Sequence, residues 1–265
     1  MFRFIKIMKD QLHRNIQLDK TPKRIVSLVP SQTELLCDLG LQAYVVGVTK
    51  FCVHPNYIKT KAKVVGGTKQ INIEKIKALR PDIILCNKEE NTEDIVIACE
   101  AIAPVHVSDI FNLEDSLELI AQYGIMFNKK KTAQNLIHNI RSEYVFFKKW
   151  VEHEMVYNTI YFIWKSPWMV AANNTFVNYM LQLNKFKNYY RDQVRYPEIK
   201  LKENKEVELV LLSSEPYPFK EAHKKELQAF YPKAKLLLVD GEMFSWYGSR
   251  LKKAFTYFKS LHEHL

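Results

Sequence analysis

The feature that most constrains this chain is a stretch near its middle that reads as one long helix. Between Asn128 and Glu154 there is no glycine and no proline, and apolar residues return at steps of three or four: Ala133, Leu136, Ile137, Ile140, Tyr144, Phe147 and Val151. That spacing marks one face of an amphipathic helix. At 1.5 Å per residue the stretch spans roughly 40 Å, about the width of a small domain. On either side, strand-length apolar runs alternate with shorter helical patterns. A helix this long between two α/β halves is expected to act as a stiff strut and to keep a nearly fixed cleft. Such a cleft suits a receptor better than an enzyme that must close over its substrate.

Before the strut, residues 24–29 read as a short buried strand ended by Pro30. Ser31 and Glu34 have the spacing of a capping box, and the helix they open stops at Gly40. Strands follow at 44–49, 81–86 and 104–107. Helices are expected after Asn72, from Thr92 to Ile102 and from Leu113 to Phe127. After the strut the alternation restarts with strands at 159–164, 207–212 and 235–239. Helices are read after Thr175, near 220–230 and near 249–261. The fold class is therefore α/β: two lobes with parallel sheets, joined by one long backbone helix, with a ligand cleft between the lobes. The expected divisions are an N-terminal extension at 1–23, a first lobe at 24–127, the backbone helix at 128–154 and a second lobe at 155–265.

Composition narrows the function. Of 265 residues only 7 are glycine, and neither GxGxxG nor GxxxxGK[ST] occurs, so a phosphate-cradling loop is not expected. The net charge of +10 is read as solvated lysine faces, and no nucleic-acid partner is expected. The four cysteines form no CxxC pair. Cys37, Cys86 and Cys99 lie in apolar surroundings and are read as small hydrophobes, which fits a reducing compartment. No apolar run reaches transmembrane length, and charges at Arg3, Lys6 and Lys9 interrupt the N-terminus. As written, the chain is expected in the cytoplasm; it would be periplasmic if the true start lay upstream.

In open parallel sheets, ligands bind beyond the carboxyl ends of the strands. In the second half the loops at those ends are rich in aromatic residues: Trp168, Tyr217, Phe219, Phe244, Trp246 and Tyr247. Aromatic rings with a few polar groups suit a large flat or apolar ligand. Trp168 is the contact candidate from its loop, whereas Trp164, at a strand end, is expected in the core. Tyr196 is placed on the far wall. His54, beside Phe51 and Pro55, is read as a candidate ligand contact, since an imidazole can coordinate a metal or hydrogen-bond an acid. The run from Asp240 to Arg250 is read as a ligand-facing loop opening a helix, with Glu242 a carboxylate stabilised near the helix start and Arg250 pairing within its own lobe. No nucleophile and base stand at a readable spacing, so no catalytic residue is assigned. The terminal His262-Glu263-His264 is not read as a metal site.

Several motifs together resemble a known family: 24–35 (RIVSLVPSQTEL), Val46-Gly47-Val48-Thr49 leading to His54-Pro55, Val65-Gly66-Gly67, Asn72-Ile73-Glu74-Lys75-Ile76 and 79–84 (LRPDII). In that order they look like the helical-backbone substrate-binding proteins of ABC importers, and are similar to the cobalamin and iron–siderophore binders among them. The resemblance runs from about Arg24 to the C-terminus. It implies ligand contacts at Phe51, His54, Trp168, Tyr196, Glu242 and Phe244; Trp246, from the aromatic run between Asp240 and Arg250, is added to them as a ligand contact. It also implies that Glu74 and Glu203 dock on an ABC permease. The implied ligand is a cobalamin-like corrinoid or another metal chelate, iron–siderophore or haem, with no intrinsic cofactor and a monomeric, non-enzymatic protein. Two rival readings use the same fold: a cytoplasmic enzyme that processes a corrinoid or chelate, and a protein-interaction module.

Overall fold

The structure, a computed structural model, describes residues 6–265. Of the extension expected at 1–23, residues 1–5 lie outside the described residues. The rest of it is ordered into a hairpin of β1 (Lys6–Lys9) and β2 (Asn15–Leu18), paired antiparallel. Alternation makes the hairpin one-sided: Ile16 and Leu18 are buried while Asn15 and Gln17 face out. The Asp10 carboxylate at its turn is fully buried. It accepts the N–H groups of Leu12 (3.0 Å) and Arg14 (2.9 Å) and, from the neighbouring strand, that of Val107 (3.2 Å).

By internal contacts the chain divides into two units. One runs to Asn139 and takes in Tyr247–Arg250; the other comprises Ile140–Trp246 and Leu251–Leu265. In the first unit, β3 (Ile25–Ser27), β4 (Val45–Val48), β5 (Lys63–Val64), β6 (Ile83–Asn87) and β7 (Val105–Ser108) form a parallel sheet of order β5-β4-β3-β6-β7. Its central strands are buried throughout, as parallel strands covered by helices must be, and so read as continuous apolar runs. The helices are α1 (Pro30–Asp38), α2 (Ile58–Lys61), α3 (Ile73–Ala78), α4 (Glu93–Glu100) and α5 (Leu113–Met126).

Helix ends follow local chemistry, with one correction. Asn72, Thr92 and Asn112 each cap a helix by accepting a backbone N–H. Gly40, at φ +73°, closes α1: its N–H meets the Cys37 carbonyl and that of Leu41 meets Leu36, a Schellman ending. The capping box expected of Ser31 and Glu34 does not form. Pro30 itself opens α1 behind Val29, which makes no side-chain cap, and Glu34 lies within the helix with its carboxylate bound to Arg250.

The long helix is α6 (Lys130–Val151). Its predicted stripe is the buried one: Ala133, Ile140, Phe147 and Val151 are buried, and Leu136, Ile137 and Tyr144 are half-buried. In the first unit, Gly124 of α5 approaches so closely that a Cβ on it would lie 2.5 Å from that of Ala133. In the second unit, the Phe147 ring packs on Phe255 (5.6 Å) and Phe258 (5.8 Å).

The second unit carries β8 (Tyr157–Trp164), β9 (Met169–Val170), α7 (Phe176–Leu183), β10 (Phe186–Asn188), β11 (Leu209–Ser213), α8 (Glu221–Gln228), β12 (Lys235–Val239), α9 (Gly241–Ser245) and α10 (Leu251–His262). The order β10-β8-β11-β12 is parallel, and β9 folds back antiparallel on β8. Its core is built on Ile160, Phe162, Val210, Leu212 and Leu227. Among the described residues, no helix is long and apolar enough to cross a membrane.

Candidate functional site

Each sheet reverses its strand order once, and the loops at that reversal are where an open parallel sheet receives ligands. In the first unit the reversal lies between β3 and β6, and its mouth is filled from within. Gln32 Nε2 donates to Ser108 Oγ (2.7 Å) and the Tyr247 hydroxyl (3.1 Å), while the Tyr123 hydroxyl donates to Gln32 Oε1 (2.7 Å). Asn87 Nδ2 donates to Ser108 Oγ (3.0 Å). Burial pushes the Tyr123 and Tyr247 hydroxyls well above their ordinary values, so both stay protonated and can donate. A buried amide this fully paired is structural, not a free contact group.

The first unit therefore shows its rings one strand further out, on the loop after β4. There Cys52 is buried, with its Sγ 3.2 Å from Thr33 Oγ1 and 3.3 Å from Thr49 Oγ1. Burial pushes its thiol up, so it stays neutral. Pinning Cys52 inward turns its neighbours outward: Phe51 is 50% exposed and Val53 39%. The Lys50 N–H donates to the Gly66 carbonyl (2.7 Å), and the Phe51 ring lies against Gly67, where a Cβ would sit 3.2 Å from its Cε2. Lys50 Nζ stands 5.0 Å from the ring centroid. His54, three residues on, is half-buried. Glu74 is exposed in the first turn of α3.

In the second unit the reversal lies between β8 and β11, and it is aromatic. Trp168 stacks on Phe219 (6.1 Å, 11° between planes) and meets Phe162 edge-on at 5.4 Å. Lys165 Nζ lies 5.2 Å from the Trp168 ring and pairs with Glu226. Trp164 is not in the core as expected. It is the last residue of β8, beyond the buried run 159–162, 39% exposed and edge-on to Tyr217 at 5.6 Å. Tyr196 is half-buried under the Arg195 guanidinium, on a segment that bonds along β9 through Val170 N–H to Pro197 O (3.2 Å) and Ile199 N–H to Trp168 O (2.8 Å). Tyr196 and Trp168 thus sit on neighbouring segments of one unit.

The run from Asp240 to Arg250 is not one ligand-facing loop. Asp240 caps α9 by accepting the Glu242 N–H (3.0 Å), and Glu242 is half-buried in the first turn. Phe244, expected against ligand, has no exposed surface: its ring packs on Tyr161 (5.1 Å) and Phe258 (4.9 Å) as part of the core. Trp246 is also buried, and its Nε1–H donates to Glu215 Oε1 (2.8 Å). Arg250 does pair, but with Glu34 of the first unit, Nε to Oε2 at 2.8 Å. Glu203 is exposed and paired with Lys205 at 3.1 Å.

Glu215 is the residue that sequence reasoning missed. Its carboxylate takes the Ser245 hydroxyl (2.7 Å) and the Trp246 indole N–H (2.8 Å) on one oxygen. Burial raises its pKa, the Ser245 bond opposes that rise, and the negative charge of Glu242 adds to it. Its only signal in the sequence was its place one residue beyond Ser214 on the loop after β11. Among the described residues, no cluster of three or more His, Cys, Asp or Glu is arranged to hold a metal.

Comparison with known proteins fits this architecture. Over 138 residues the chain is 30% identical to an uncharacterized ABC transporter substrate-binding lipoprotein of Bacillus subtilis, an alignment covering 51% of this chain and 43% of that protein. Over 106 residues it is 34% identical to a vitamin B12-binding protein of Yersinia pestis, covering 38% of each. The chain thus spans less than half the length of these curated relatives. A periplasmic haem-binding protein of Pseudomonas aeruginosa superposes with a TM-score of 0.78 at 20% identity, over 91% of this chain and 92% of that one, and shows the same fold. The family model for the periplasmic binding protein matches residues 25–209, well over half of the sequence, and the chain belongs to that family.

Proposed function

We propose that this chain is the substrate-binding component of an ABC-type importer and that its ligand is a metal chelate: a cobalamin-like corrinoid, haem or an iron–siderophore. Membership of a binding-protein family supports a binder and not an enzyme. Its relatives suggest the ligand class: vitamin B12 for the Yersinia protein and haem for the Pseudomonas structure. The observation that carries the reading is Phe51. A phenyl ring half in water, propped outward by a buried Cys52 and backed by Gly67, is a preformed apolar platform on a carboxyl-edge loop. Covering its exposed half contributes about 1 kcal/mol to binding. Trp164, Trp168 and Tyr196 offer similar surfaces in the second unit.

In this reading Glu74 and Glu203, both exposed, are the contacts for permease arginines, and the protein acts as a monomer. The test is a tryptophan-fluorescence titration with cyanocobalamin, haemin and a ferric siderophore, corrected for absorbance. One of them should saturate at one equivalent and be recovered chemically unchanged. Phe51→Ala should weaken that ligand about fivefold, the equivalent of ~1 kcal/mol. Trp168→Ala is a poorer probe because its stacking on Phe219 also supports the core. Absence of saturation by every chelate would overturn the proposal.

A further inference from the structure

Residues 39–73, which supply the Phe51 loop, contain no aspartate or glutamate, in a chain with 29 of them among 265 residues. They contain five lysines: Lys50, Lys59, Lys61, Lys63 and Lys69. One of these stands against the exposed ring, a second bonds the backbone beside it, and a third is held at the neighbouring loop after β6. Lys50 Nζ stands 5.0 Å from the Phe51 centroid, and its Cε lies 3.5 Å from the Cβ position of Gly67, against which the ring also rests. Lys59 reaches back from α2 and donates to the Lys50 carbonyl at 3.2 Å. Lys69, two residues past Gly67, donates to the Glu89 carbonyl at 2.6 Å. Bonds to carbonyls order a lysine without cancelling its charge. The acidic groups that enter the same edge are Glu89 and Glu90, on the loop after β6, and Asp109, which pairs with Lys88 at 2.7 Å.

We infer that this site takes an anionic chelate: a flat or apolar face meets Phe51, and carboxylate or phenolate oxygens at the rim of the ligand meet Lys50 and Lys59. The inference rests on the proposed chelate-binding reading and narrows it. A ring backed by an ammonium group is suited to a ligand that is apolar on its face and negative at its edge, because both contacts can be made at once. A neutral chelate would cover the ring yet leave the lysines without a partner, and would draw no benefit from an acid-free loop.

The test compares ligands that differ in charge but little in shape. Haemin, with two carboxylates, is set against its dimethyl ester. A ferric tris-catecholate is set against a neutral ferric trihydroxamate, and cyanocobalamin serves as the corrinoid. Each is titrated into wild-type protein, Lys50→Gln, Lys59→Gln and Lys50→Arg, at 0.1 M and 1 M salt, across which the Debye length falls from about 10 Å to about 3 Å. Lys50 and Lys59 are exposed, so the variants should melt with the wild type. The expected result is preference for the anionic member of a pair. Lys50→Gln should lose about fivefold in affinity for it, which is ~1 kcal/mol, and high salt a similar amount. Lys50→Arg should retain binding. Equal or tighter binding of the neutral member, or binding indifferent to both salt and Lys50→Gln, would overturn the inference and leave chelate binding standing. Failure of every ligand to saturate would overturn both.

Discussion

The ion pair of Glu34 and Arg250 makes a sharp test of how the first unit holds a segment drawn from far along the chain. Tyr247–Arg250 follows α9 of the second unit in sequence, yet it packs within the first. Three attachments hold it: the Tyr247 hydroxyl in the Gln32 network, the Gly248 N–H on Ser116 Oγ (2.8 Å), and Arg250 on Glu34 with both side chains under a tenth exposed. Removing one partner of a buried pair strands the other charge, which costs about 3–5 kcal/mol. Arg250→Met should therefore cost about that much, a large part of the roughly 5–15 kcal/mol that holds an ordinary protein folded. At about 2–4 °C per kcal/mol for a chain of this size, the transition should fall by roughly 10 °C. Glu34→Met combined with Arg250→Met replaces both charges by apolar groups, and should recover most of the loss. A two-unit chain need not unfold in one step, so a urea melt by circular dichroism should be paired with hydrogen exchange of the α1 amides. If either single variant cost under about 1 kcal/mol, or the double variant lost the sum of both, the pair would not be the buried lock described.

Three further outcomes follow from the same geometry. His262 is buried between Phe186 (5.0 Å) and Trp150 (5.4 Å); burial lowers its pKa below the ordinary 6.5, against the opposing pull of Glu154. Its contribution is thus full above 6.5 and lost as pH falls through the folded value, and acid melts of His262→Phe should show less loss than wild type, with buried His106 still sustaining some. Gly66 sits at φ +133°, where a Cβ would lie 2.5 Å from the Gln70 carbonyl oxygen; Gly66→Ala should destabilise by about 2–3 kcal/mol in a thermal melt and loosen the Phe51 loop. Phe244→Ala should cost about 3–5 kcal/mol in stability, read by urea melt, because it empties a core position.

The elements were legible where local chemistry decides them. Periodicity gave α6 its buried face, and Asn72, Thr92 and Thr175 announced helices because a side chain three residues ahead of a backbone N–H is a local device. The errors share one cause, which is that sequence proximity is silent about distant partners. Ser31 and Glu34 had capping-box spacing, but Pro30 had already opened the helix and Glu34 was claimed by a residue 216 positions away. The hairpin at 6–18 escaped because its four-residue strands are stabilised by Asp10 reaching Val107, not by any long apolar run. Glu215 escaped because an isolated acid in a loop carries no pattern; only the fold brings Ser245 and Trp246 to it.

The aromatic residues of the second unit show why composition alone does not tell which rings stay exposed. An aromatic-rich loop at the edge of a sheet has two uses for its rings, and they compete. Rings that fill the gap between sheet and helices gain packing with one another, as Phe244 does against Tyr161 and Phe258, and are then lost to any ligand. Rings that remain in water give up that packing, and a fold tolerates the loss where something else covers them. Trp164 and Phe51 are of the second kind. They reach it by different means, one by standing at the very end of β8, past its buried run, and the other by the inward anchor of Cys52. Rotating the anchor is therefore as informative as removing the ring: a larger side chain at Cys52 cannot fit between Thr33 and Thr49, so it must displace the loop and turn Phe51 with it. The platform belongs to the whole loop, and the lysines that flank it share that frame.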